Sequence, residues 1–224
     1  MKKSIFIVYF LLSSIVTFIW FREGKLFAAA EEGMPFYRPE RTAKVYGNIL
    51  HDNGTGFIEP LTLPRAPVYY LSSLMAVFLP NYSVQHIIFA LLIISAISGT
   101  YLFVKELGFR DKSSFIAGVF YFLNLFTMTQ IWKRVVFAGI FTWAYLPIFL
   151  AIWARWLKEG EYKIFFLFLL ASFVFSYSYS NPAFLFTLWV PAFLYVFVSF
   201  TKKNKRSRLI SRSLLALFFW FVVN

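Results

Sequence analysis

The sequence predicts an all-α fold, a polytopic transmembrane helical bundle, and three observations predict it. First, 60% of the 224 residues are hydrophobic and only 14% are charged, so the chain carries more apolar surface than a soluble core of this length buries. Second, the apolar residues fall into runs close to the roughly 20 residues that a bilayer demands. Third, the net charge of +12 comes from short basic clusters between those runs. They are read as topology signals and contacts for membrane lipids, not as a nucleic-acid surface. An aromatic share of 23% suits side chains facing acyl tails, with Tyr and Trp at headgroup level. The absence of cysteine excludes disulfides, thiolate metal sites and cysteine nucleophiles.

The first element is the run Ser4 to Phe21 after Lys2 and Lys3. It has the outline of a secretory signal with small residues at Ala28, Ala29 and Ala30, but Arg22, Glu23 and Lys25 intervene and the run is long. A retained first span is therefore expected. The segment 22–65 is rich in Gly and Pro and reads as the one sizeable extramembrane loop. Residues 66–79, bounded by Pro64 and Pro80, are short for a crossing and predict an interfacial or re-entrant helix. Five further spans are expected at 84–104, 113–132, 135–156, 164–180 and 182–200. Residues 213–224 open a seventh, which is read as continuing beyond Asn224. The expectation is thus about six full spans, an interfacial helix and a partial seventh span.

Charge sets the polarity. With the N-terminus cytoplasmic and 66–79 not crossing, Lys105, Arg110, Lys112, Arg155, Lys158, Lys163 and the run from Lys202 to Arg212 all fall on the cytoplasmic side. That satisfies the positive-inside rule. The loop 22–65 is then extracytoplasmic.

That loop holds Glu23, Glu31, Glu32, Glu40, Asp52 and Glu59, six of the ten acidic residues. Adjacent carboxylates such as Glu31 and Glu32, close to the bilayer, have the chemistry of a general base or of a divalent-cation ligand, because neighbouring charge and desolvation raise their pKa values. A solvated acidic loop is the plainer alternative. On the same face the topology puts Arg65, and Lys133 with Arg134 in a tight turn, where cations suit a lipid phosphate or simply snorkel to headgroups. Tyr177, Tyr179 and Asn181 join two spans in a hydroxyl- and amide-rich junction that suits a sugar or an aromatic belt. His51 and Asp52 share no ligand spacing with the other histidine, His86. Gly99 and Gly118 read as close helix packing. Phosphate-binding glycine loops, zinc motifs and nucleophile elbows are absent from the sequence.

A first span, a long acidic loop and closely spaced later spans together resemble the membrane-embedded GT-C glycosyltransferases that use polyprenyl-phosphate sugars. The likeness is to the amino-terminal membrane domain of bacterial arabinofuranosyltransferase-like proteins. It is carried by Glu31-Glu32-Gly33-Met34-Pro35-Phe36-Tyr37, by Leu63-Pro64-Arg65-Ala66-Pro67 with Tyr69 and Tyr70, and by Ile131-Trp132-Lys133-Arg134 with Trp143-Ala144-Tyr145-Leu146-Pro147. The resemblance implies an enzyme that moves a sugar from a polyprenyl-phosphate donor to an extracytoplasmic glycan or lipid acceptor. Glu31 or Glu32 would act near the acceptor or hold a metal, and Arg65, Lys133 and Arg134 would bind the donor phosphate. Tyr177, Tyr179, Asn181 and Asp52 would contact sugar or acceptor. A lipid or polysaccharide transporter and a non-catalytic membrane subunit are the competing expectations.

Overall fold

The computed structural model describes residues 3–27, 34–46, 50–51, 57–58, 60–133, 136–200 and 206–223. It is all-α apart from a two-residue antiparallel ladder, β1 (Leu50–His51) with β2 (Phe57–Ile58). The chain opens with α1 (Lys3–Phe21), then the short α2 (Met34–Tyr37) and α3 (Pro39–Tyr46), the ladder, and a 3-10 turn Pro60–Arg65 leading into α4 (Ala66–Ala76). Next come α5 (Asn81–Glu106), α6 (Asp111–Leu123), a π-helical turn Thr127–Trp132, and α7 (Phe137–Glu159). The chain continues as α8 (Tyr162–Val174), a 3-10 turn Ser176–Tyr179, α9 (Pro182–Ser199) and α10 (Arg206–Val223).

Four of these helices, α1, α5, α7 and α9, are long and apolar enough to cross a membrane. The expected run 113–132 divides into the 13-residue α6 and the π-helical turn. Asn124 causes the break: its side-chain oxygen accepts from Thr127 N at 2.9 Å and its amide donates to Tyr121 O at 2.7 Å, offering the backbone an alternative to the helical ladder. The expected run 164–180 likewise divides into the 13-residue α8 and the 3-10 turn after it. Helix length and apolarity together therefore give four candidate spans where the sequence suggests six.

The organising element is α7. It is apolar around its whole circumference, as expected of a helix enclosed by others, and it runs through both apolar clusters of the bundle. One cluster centres on Phe89, Ile93, Phe122 and Phe141, the other on Phe149, Trp153, Phe168 and Trp189. Small residues bring its neighbours close. A Cβ added to Gly99 would stand 2.7 Å from Ile148 N in α7, and one added to Gly118 would stand 2.8 Å from Ile97 O in α5. Aromatic polar tips then tie the helices together: Tyr121 OH to Trp143 O at 2.9 Å, Tyr145 OH with Ser172 Oγ at 2.8 Å, and Trp156 Nε1 to Arg212 O at 3.1 Å. Such bonds spare backbone and hydroxyl groups a costly unpaired burial in hydrocarbon.

Pro147 explains the first of these bonds. A proline within a helix removes the N–H that would bond the carbonyl four residues earlier, here that of Trp143, and Tyr121 OH occupies that carbonyl instead. Tyr121→Phe is expected to cost about 1–2 kcal/mol by leaving the carbonyl unsatisfied. The cost should shrink when Pro147→Ala restores the helical donor. A double-mutant cycle on unfolding in detergent checks it, and equal costs in both backgrounds would dismiss this role for Tyr121.

The two ends of the bundle differ in charge. At one end the α5–α6 and α7–α8 links gather the ion pairs Lys105–Asp111 at 2.9 Å, Lys158–Glu106 at 3.2 Å and Lys163–Glu161 at 2.7 Å. Lys163 holds the exposed Glu161 carboxyl below its usual range. The other end carries the loop after α1. There the buried Gln85 of α5 accepts from Phe27 N at 2.8 Å and donates to Phe27 O at 2.7 Å, so the chain leaving α1 is pinned to α5 by both faces of one amide.

Candidate functional site

The loop end has one place where a cation, an aromatic cage and an apolar groove converge. The 3-10 turn Pro60–Arg65 lies against the turn Ser176–Tyr179, and Ser176 Oγ donates to Pro64 O at 2.6 Å. This contact joins segments more than 100 residues apart. It places the Arg65 guanidinium 5.6 Å from the ring centroid of Tyr177. Tyr177 is itself fixed, stacked on Phe141 at 5.0 Å and met edge-on by Tyr69 at 6.0 Å. A cation over an aromatic face gains electrostatic stabilisation that grows as water is excluded, and Tyr177 is only 1% exposed.

Beside this cage is an apolar groove of about 250 Å³, lined by Pro67, Leu71, Leu91, Phe141, Phe173 and Phe175 among others. Phe141 belongs both to the groove wall and to the ring stack beneath Arg65. Pro67 of the groove wall follows Arg65 by two residues in the chain. The arrangement joins a positive charge and a hydrophobic slot through one aromatic stack. That is the complement of an amphiphile with an anionic headgroup.

Of the residues expected from sequence, Arg65 and Tyr177 are brought into contact. Lys133 is exposed at a different place on the same end, after Trp132, whose ring lies 4.8 Å from that of Trp20 at the close of α1. Tyr179 is buried and turned to the other cluster, where its hydroxyl accepts from Trp220 Nε1 at 3.1 Å. Asn181 is exposed and caps α9, its side-chain oxygen accepting from Ala183 N at 2.9 Å. Glu31, Glu32, Asp52 and Arg134 lie outside the described residues. Among the described residues, no three His, Cys, Asp or Glu side chains converge as a metal site. His86 stacks on Phe21 with ring centroids 5.5 Å apart.

Sequence reasoning missed the groove and the role of Ser176. Leu71, Phe173 and Phe175 are indistinguishable in the sequence from any lipid-facing residue, and a serine at a span junction carries no sign of its distant partner. The one usable signal was Arg65 standing between two prolines at the start of a short apolar helix. No family model, curated protein or solved structure matches the chain, so the reading of this site rests on its own geometry.

Proposed function

We propose that the protein is a membrane glycosyltransferase that takes a sugar from a polyprenyl-phosphate donor and delivers it to an extracytoplasmic glycan or lipid acceptor. The observation that carries this is the Arg65–Tyr177 contact, stacked on a Phe141 that also walls the apolar groove. The groove would hold the first isoprenyl units and the Arg65 guanidinium the phosphate. In the transfer an acceptor hydroxyl oxygen attacks the anomeric carbon and the bond from that carbon to the phosphate oxygen breaks. The phosphate leaves with its charge neutralised, and a carboxylate takes the acceptor's proton. Glu31 and Glu32 are the carboxylates assigned to that step. The polarity proposed with it has the N-terminus cytoplasmic, six crossings, and the loop end outside.

Arg65→Gln is expected to weaken binding of a polyprenyl phosphate to the purified protein by about 10- to 100-fold, the worth of one charge-assisted phosphate contact. Arg65→Lys should fall between the two, because a point charge replaces a planar fork. Changing Glu31 and Glu32 together to Gln should abolish transfer while donor binding persists. Undiminished binding by Arg65→Gln would remove the support for a donor site here. Donor binding that leads to lipid movement across vesicles without turnover would favour the transporter.

A further inference from the structure

A second cationic feature of the loop end lies on α3 and the residue before it, and it shares no side chain with the Arg65–Tyr177 contact. Pro39, Thr42 and Ala43 of α3 are buried, which leaves Arg41 and Val45 of the helix exposed, with the exposed Arg38 just before it, at helical spacing. Together with Tyr37, Thr42 and Tyr46 they line a concavity of about 430 Å³. The stripe is held firmly. Phe36 is buried with its ring 5.3 Å from that of Phe137, Asn81 Nδ2 donates to Tyr37 O at 3.0 Å, and α3 packs along α4, so the exposed face is carried on α4 and, through α2, on the ends of α5 and α7.

Arg38 and Arg41 are both exposed, and neither has an ion-pair partner among the described residues. That is notable in a segment holding six of the ten carboxylates, where an ordinary solvated helix would pair them. Their flanks are apolar: Tyr37 is 52% exposed and Val45 43%. Two guanidiniums about one helical turn apart can each take an oxygen of a single phosphate, with the planar geometry that arginine supplies. We propose that Arg38 and Arg41 bind the phosphate of an anionic membrane lipid, with Tyr37 and Val45 against its glycerol and acyl segment. The exposed apolar flanks select a lipid over a soluble phosphate, since a water-borne ligand gains little from them and a lipid buries them. The site uses none of the residues assigned to the transfer reaction, and it anchors the loop that follows α1 to the bilayer surface.

The test is native mass spectrometry of the full chain in neutral detergent, titrated with phosphatidylglycerol or with phosphatidylcholine. The Arg38→Gln/Arg41→Gln double variant is compared with wild type and with Lys112→Gln, an exposed change at the other end. Wild type and the control should retain one phosphatidylglycerol that the double variant loses, its apparent dissociation constant rising about tenfold. Phosphatidylcholine should not replace it. Because both arginines are exposed, circular dichroism of the variant should be unchanged. Equal retention of phosphatidylglycerol by wild type and double variant overturns the proposal. Displacement of the lipid by millimolar glycerol phosphate overturns its lipid assignment in favour of a soluble phosphate ligand.

Discussion

Gly99→Ala is expected to destabilise the bundle by about 3 kcal/mol or more, at the upper end of overpacking effects. The added methyl would stand 2.6 Å from Ile148 Cγ1 and 2.7 Å from Ile148 N. A side chain could rotate aside, but the second neighbour is backbone, so α5 must move away from α7. These two helices share the bundle's centre, and their separation would loosen contacts along both lengths. Ser98→Ala, one residue away, is the control. Its buried hydroxyl has no hydrogen-bond partner, so removing it should be neutral or slightly stabilising. Unfolding in detergent followed by near-ultraviolet circular dichroism measures both, and equal midpoints for Gly99→Ala and wild type would refute the close contact.

The C-terminus of α7 should be almost as sensitive. Helix ends leave carbonyls without intrahelical donors and concentrate negative charge there. Arg212 of α10 answers both, donating to Leu157 O at 2.7 Å, Lys158 O at 3.0 Å and Glu159 O at 3.2 Å. Its guanidinium also lies 5.9 Å from the ring of Trp156, whose indole N–H returns a bond to Arg212 O. Arg212→Met should cost about 1–3 kcal/mol, less than three full bonds because water reaches the freed carbonyls. Gly160 next to this cap has φ 70°, a left-handed conformation that costs other residues strain. A Cβ on it would collide with the Arg212 guanidinium. Gly160→Ala should therefore be less harmful in an Arg212→Met background, and additivity of the two changes would argue against the shared cap.

Local composition made much of the architecture legible. The runs 4–21, 84–104, 135–156 and 182–200 correspond to α1, α5, α7 and α9, because apolarity summed over about 20 residues needs no knowledge of neighbours. The prolines at 64 and 80 frame α4, and the small residues Gly99 and Gly118 mark close helix contacts. The helix break at Asn124 was missed because an apolar run hides a side chain that rebonds its own backbone. The centrality of α7 was also hidden, since five runs of similar apolarity give no sign of which one the others surround.

The candidate site was legible only as a set of residue types. Arg65, Lys133, Tyr177, Tyr179 and Asn181 all qualify by chemistry and by position near span ends. Tertiary structure separated them: Arg65 rests on Tyr177, Tyr179 packs against Trp220, Asn181 caps α9, and Lys133 stands elsewhere. The sequence by itself determined that this is an all-α chain with helices apolar enough to cross a bilayer, because that property belongs to each segment alone. Only the tertiary structure decided which cation rests on which tyrosine beside the groove wall. That pairing depends on a contact between Pro64 and Ser176, and the energy of such a contact has no trace in either segment taken separately.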